Sequence, residues 1–184
     1  MGTVGSMPTH PSHLHSAITV APHFLAVVWL GLMAGFFGTY SCNVNLAMLQ
    51  MDGATYATVQ SALNRNVRHS LFFALFFGPP LWCALALATG WARRREAWWP
   101  TLAAVLLAYL LGIVFFTQQV NLPLNAATEA WNPQLLPADW AQVRARWNAA
   151  NLWRALLSLA AFVAALATLV WRLAPPRADG SRGG

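Results

Sequence analysis

Apolar and polar positions separate along this chain into four long apolar stretches and two polar windows. A helix that crosses a bilayer needs about 20 largely apolar residues, because a rise of about 1.5 Å per residue must cover a hydrocarbon core about 30 Å thick. Four stretches qualify: residues 24–49, opening FLAVVWLGLMAGFF; 70–91, SLFFALFFGPPLWCALALATGW; 98–116, which carries no charge; and 152–173, with only Arg154 and Arg172 near its ends. The expected fold class is all-α, an integral membrane four-helix bundle over residues 23–173. Residues 1–22 and 174–184, rich in Pro, Gly, Ser and His, are expected to be mobile tails.

The polar windows carry helix signals of their own. After Asp52–Gly53, the residues Tyr56, Val59, Leu63 and Val67 recur at three-to-four spacing, which predicts a short helix lying along the membrane surface in the first long loop. Pro137 and Asp139 are helix-start residues, and Trp140, Val143 and Trp147 make an apolar face behind them. A second short helix is therefore expected in the loop 117–150, running into the fourth span without a break. In the second span Gly78-Pro79-Pro80 removes the backbone donors that would serve the carbonyls of Leu75 and Phe76, so a kink is expected there.

Composition agrees with a membrane protein. The chain of 184 residues is 58% hydrophobic and 9% charged, against about 25% charged in soluble domains, which excludes disorder and disfavours a soluble enzyme. The net charge of +6 comes from eleven basic residues, all Arg, dispersed among ten Trp and ten Phe. They read as membrane flanks facing a lipid bilayer, not as a nucleic-acid surface. The first 22 residues contain no Lys or Arg, so the charged region of a cleavable signal is missing and the first span is expected to stay. Arg93, Arg94 and Arg95 crowd the very short 92–97 loop, and by the positive-inside rule both termini are expected in the cytoplasm, with the long loops outside.

The amides are unevenly placed. All nine Asn and all six Gln fall within residues 41–70 or 117–154, little more than a third of the chain. These windows hold the outer ends of all four spans, so the amides converge in space. Asn43 and Asn45 close the first span beside Tyr40; Gln118, Asn121 and Asn125 follow the third; Asn148, Asn151 and Arg154 open the fourth. Trp147, Asn151, Arg154 and Ser158 share one helix face. Polar groups at membrane depth need partners or face the bundle interior. The reading is a polar pocket at the outer mouth, with interhelical hydrogen bonding as the competing explanation. For Arg154 the competing explanation is snorkelling to the headgroups; in favour of the pocket, its five donors suit an anionic or oxyanionic ligand.

Other chemistry is absent or weak. Cys42 lies nearer the outer end of its span than Cys83, which is about 20 Å in, too different in depth for a disulfide. His10, His13 and His15 form HPSHLH in the expected tail with no carboxylate or Cys beside them, so no metal site is expected. The four spans contain no Asp or Glu, against a carboxylate proton relay.

The segments GFFGTYSCNVN (35–45), VQSALNRNVRHSLFFALFFG (59–78), VNLPLN (120–125) and WAQVRARWNAANLWRALLSL (140–159) resemble the anthrone oxygenase-like family of small four-helix membrane proteins. The most specific pieces are Asn121, Pro123, Leu124 and Asn125, and Trp147, Asn148, Asn151 and Arg154. The resemblance implies a bacterial inner-membrane protein that oxidises an anthrone-like aromatic or polyketide-like small molecule with O₂, using neither metal nor flavin. Such chemistry needs proton removal and a home for a delocalised oxyanion. Asn121, Asn125, Asn151 and Arg154 are the candidate donors, His69 or in its place Tyr40 the proton acceptor, and Trp147, Trp153 and Phe116 the flat walls. Catalysis is expected from His69, Arg154 and Asn125, and substrate binding from Tyr40, Asn43, Asn121, Trp147, Asn148 and Asn151. Family members often carry Asn-Pro where this chain has His69-Ser70, so a base at His69 is not a shared feature. The alternative is a non-enzymatic membrane subunit that binds a small hydrophobic molecule, a partner membrane protein or another copy of itself.

Overall fold

The computed structural model describes residues 11–174, all-helical apart from turns and a single bridge between Asn132 and Leu135. Helix α1 (Pro11–Thr39) passes through a wide π-helical turn (Tyr40–Val44) into the short α2 (Asn45–Met48), and α3 (Gly53–Asn66) follows. Helix α4 (Ser70–Thr89) leads through the tight turn Trp91–Arg93 to α5 (Trp98–Tyr109). Two more π-helical turns, Leu110–Phe115 and Thr117–Asn121, continue α5 into α6 (Leu122–Glu129), and α7 (Trp140–Leu173) ends the fold. Four segments are long and apolar enough to cross a membrane: Thr19–Met48, Ser70–Thr89, Trp98–Glu129 and Trp140–Leu173. Helix α1 packs on α4 and α7, and α5 closes the square against the same two.

On α7 the packing is inverted relative to a soluble bundle. Along α7 the buried face is small or polar, with Ala150, Asn151, Arg154, Ala155, Ser158, Ala161 and Ala165, whereas Leu152, Leu156, Leu159 and Val163 face outward. Lipid chains are as apolar as leucine, so helices associate through close backbone approach and hydrogen bonds rather than through burial of large side chains. Gly78 and Gly112 mark such approaches. A Cβ on Gly78 would lie 1.9 Å from the Trp29 ring, and one on Gly112 would lie 2.1 Å from Leu157.

The proline pair in α4 does not interrupt the helix. The Phe76 carbonyl, which Pro80 deprives of its helical donor, accepts the Tyr109 hydroxyl at 2.9 Å. The expected lesion in α4 has become a tie between α4 and α5. Two residues earlier, the Ala74 carbonyl accepts from Trp29 Nε1 at 3.2 Å.

Three expectations need correction. The third span does not stop at residue 116: it stays helical to Glu129, because Thr117, Gln118, Gln119 and Asn121 continue the helix as a wide turn. Such a turn relaxes the i to i−4 spacing just where Pro123 follows. Residues 11–22, expected to belong to the N-terminal tail, are helical and part of α1. Residues 1–10 and 175–184 lie outside the described residues, and His10 with them. Finally, α3 does not bury an apolar stripe. Tyr56, Gln60 and Asn64 are buried together, and Val59 and Leu63 only partly.

Two outcomes follow from this packing. Gly78→Ala should lower stability to SDS-induced unfolding by about 1–3 kcal/mol through overpacking against Trp29, while Gly35→Ala, with nothing within 4 Å of the added methyl, should leave the midpoint unchanged. Tyr109→Phe should cost about 1 kcal/mol by stranding the Phe76 carbonyl, read from the same titration.

Candidate functional site

Opposite the 90–97 turn, the bundle end opens into a cavity of about 680 Å³. Aromatic rings make much of its wall: Phe36 and Phe37 from α1, Tyr40 from the π-helical turn that follows it, Phe72, Phe73, Phe76 and Phe77 from α4, and Trp147 from α7. Helix α3 supplies Gln60, Leu63 and Asn64; the third span supplies Val114, Thr117, Gln118, Leu122 and Asn125.

Local capping sets the inward face of α3. Asp52 stands at its N-cap and accepts the Thr55 amide at 3.0 Å and the Thr55 hydroxyl at 2.7 Å. This start directs Gln60 and Asn64 inward, one turn apart. Gln60 Oε1 accepts the hydroxyls of Tyr40 at 2.8 Å and Tyr56 at 3.3 Å, and Gln60 Nε2 donates to Asn64 Oδ1 at 2.9 Å. Asn64 Nδ2 donates to Thr128 Oγ1 at 3.0 Å, and Thr128 donates to the Asn125 carbonyl at 3.0 Å. Trp147 Nε1 donates to Asn125 Oδ1 at 2.6 Å, and its ring lies 4.8 Å from that of Tyr40. A polar chain thus runs from Tyr40 in the first π-helical turn through α3 and α6 to Trp147 of α7, and the contact between the Tyr40 and Trp147 rings closes it into a circuit. Burial pushes the Tyr56 phenol up to about 12, against the opposing pull of Arg144, so it stays a neutral donor at physiological pH.

Arg154 stands apart from this circuit. It is only 7% exposed. Its Nη2 donates to Asn151 Oδ1 at 2.9 Å, its Nη1 reaches Thr117 Oγ1 at 3.4 Å, and its guanidinium carbon sits 4.5 Å from the centre of the Phe37 ring. Its Nε has no partner. Asn151 is fixed in turn, donating to Ser41 Oγ at 2.9 Å and to the Phe37 carbonyl at 3.4 Å. Among the described residues the ion pairs are Arg68 with Glu129 and Arg93 with Glu96, and neither involves Arg154. A buried cation lines the cavity without a carboxylate beside it.

Of the expected site residues, Tyr40, His69, Asn125, Trp147, Asn151 and Arg154 line the cavity. Asn43, Asn121 and Asn148 do not. Asn43 is exposed, Asn121 is buried with neither amide atom bonded, and Asn148 keeps a buried unbonded Oδ1. Phe116 and Trp153 also miss the wall: their rings pair with each other, 6.2 Å apart, with Trp153 exposed. His69 caps α4, its Nδ1 accepting the Phe72 amide at 3.3 Å. A neutral imidazole that accepts at Nδ1 carries its proton on Nε2, so in this geometry the free nitrogen is a donor. Gln60, Asn64, Thr117 and the phenylalanines were not singled out from sequence. The signal for the first two was the i, i+4, i+8 spacing of Tyr56, Gln60 and Asn64. Cys42 and Cys83 are both free.

A family model described as anthrone oxygenase matches residues 70–164. Neither the curated proteins nor the solved structures contain a match to the chain. The matched stretch runs from the His69-capped start of α4 into the second half of α7 and contains Thr117, Asn125, Trp147, Asn151 and Arg154. Covering just over half of the 184 residues, and with the four membrane-crossing helices in place, the match shows that this chain belongs to the anthrone oxygenase family.

Proposed function

We propose that the cavity is the active site of a cofactor-independent oxygenase that oxidises a flat, lipophilic aromatic ketone of the anthrone type. The observation that carries this reading is the buried Arg154, without a counter-ion, in an aromatic cavity of about 680 Å³, a volume in the usual range for small-molecule sites, about 300–1,000 Å³. The overall reaction is balanced with O₂ as the sole oxidant: a ring CH₂ and O₂ become a ring C=O and H₂O.

The first step is loss of a CH₂ proton, which leaves an anion whose charge is shared with the ketone oxygen. Arg154 and the Asn125 amide N–H groups face that oxygen. Asn125 spends its own oxygen on Trp147, which leaves it to act as a donor. Asn151 has both amide atoms engaged and serves to position Arg154. His69 takes the proton at Nδ1, giving up the Phe72 amide, whose 3.3 Å bond is long for the type. The anion passes one electron to O₂, and the radical pair combines to form the C–O bond. Return of the first proton from His69 to the peroxide, followed by cleavage of the O–O bond with loss of the second C–H proton, releases water and leaves the quinone. The protein stabilises the anion with donors that are already oriented, which is where such groups contribute most.

The same proposal puts both termini on the cytoplasmic side of a bacterial inner membrane. The exposed Arg93, Arg94 and Arg95 support that orientation. The cavity then lies at the outer side.

The test is aerobic anthrone oxidation by the detergent-purified protein, followed as quinone absorbance beside a protein-free control. Arg154→Met should reduce the catalysed rate about 10²–10³-fold. Its stability should be no lower than that of the native chain, because the substitution removes an uncompensated buried charge. Asn125→Ala should lower the rate less. Equal rates for all variants and the control would remove the oxygenase reading and leave a binding subunit in its place.

A further inference from the structure

We propose that ligands reach this cavity sideways, out of the bilayer, through a slit between α4 and the third span. This inference rests on the reading of the cavity as the oxygenase site, and it adds the physical form in which the substrate arrives: a neutral, flat molecule dissolved in lipid.

The slit follows from how the third span is routed. Up to Tyr109 it packs along α4, and the Tyr109 hydroxyl clasps the Phe76 carbonyl. Beyond Tyr109 the two π-helical turns stay against α7, and extensive contact with α4 ends. The lips of the resulting gap are Phe73 and Phe77 on one side and Gln118 and Leu122 on the other. All four line the cavity and all four are exposed, Phe77 at 51% and Leu122 at 48%, as are Asn66, Arg68 and His69 where α3 turns into α4. Asn66, Arg68 and His69 lie outside the membrane-crossing segments, whereas Phe73, Phe77, Gln118 and Leu122 lie within them, where an exposed wall residue opens toward lipid.

The water side is crossed by polar ties. Helix α3 lies across the bundle end, tied to α6 by the buried bond from Asn64 to Thr128. At the top of the slit, Arg68 pairs with Glu129 through both terminal nitrogens and so joins the start of α4 to the end of α6. Access from water runs past amide and charged side chains held by these bonds, whereas access from lipid requires only that Phe73, Phe77, Gln118 and Leu122 rotate.

The route can be tested with acridone, a fluorescent isostere of anthrone that has N–H in place of the oxidisable CH₂. The full chain is placed in phosphatidylcholine vesicles, and the saturable part of tryptophan-to-acridone energy transfer is followed by stopped flow. The double variant Gln118→Phe/Leu122→Phe fills the slit without adding tryptophan. It should slow association and dissociation alike, by about tenfold or more, with Kd held within about twofold. Phe77→Ala should speed both, which keeps the test alive if the filled variant does not fold. Glu129→Gln, which opens only the water side, should leave both rates within about twofold of the native chain. Rates unmoved by either slit variant and accelerated by Glu129→Gln would overturn the lateral route. Absence of saturable binding by the native chain would overturn both the route and the oxygenase reading. Slit-dependent binding without any anthrone oxidation would sustain the route and remove the oxygenase.

Discussion

A guanidinium held inside a membrane bundle without a carboxylate beside it is the constraint around which the rest of the amide end is arranged. Charges at such depth are costly and are tolerated where they face a cavity or find partners. Arg154 has one good hydrogen bond, to Asn151, one long one, to Thr117, and the face of Phe37. Neutral dipoles and a ring quadrupole orient a cation and offset part of its desolvation, but they do not neutralise it. What remains is a positive field in an aromatic chamber, standing before any ligand arrives. Asn151 cannot turn away, because Ser41 and the Phe37 carbonyl hold its other end.

The opposite end of the same helix shows an arginine in a different setting. Arg172 stacks 4.4 Å from the Trp98 ring, donates to the Thr19 carbonyl at 2.8 Å, and lies 3.5 Å from His23 Nδ1. Here an acid is close at hand: Glu96 bonds both Arg93 and the Trp98 indole. Arg93 also donates to the Arg172 carbonyl. This arginine ties α1, α5 and α7 together next to a carboxylate, and it lines none of the cavity. Burial over an aromatic ring is common to both sites. Only Arg154 combines it with open space and no neighbouring acid.

The spans were legible because an apolar run of sufficient length has one stable use in a chain of this composition, and the α7 face carrying Trp147, Asn151 and Arg154 was legible from helical spacing alone. Polar stretches were harder, because a run such as Thr117–Asn121 has the composition of a loop. It stays helical because the chain ahead of it is already helical and α7 packs alongside, neither of which composition records. The α3 stripe misled for a related reason. Apolar periodicity finds the face that would seek a core, but α3 covers a polar circuit, and its inward face is Tyr56, Gln60 and Asn64. The aromatic wall was invisible for the opposite reason: in a chain with ten Phe, no single ring stands out until the helices are placed.

On the oxygenase reading, the dry, lipid-facing chamber and the lone cation act as a sorting device. The ketone substrate, O₂ and the quinone product are neutral and apolar, and each dissolves in hydrocarbon at least as readily as in water. All three can pass between Phe73, Phe77 and Leu122 without shedding a hydration shell. The deprotonated intermediate differs, since moving its charge into lipid is costly and its favourable place is beside Arg154. Arg154 is itself buried, so the interaction acts at a lower local dielectric than in water, where it is stronger. Retention of the anion and free passage of the neutral species therefore arise from the same two features, a slit open to lipid and an arginine without a counter-ion.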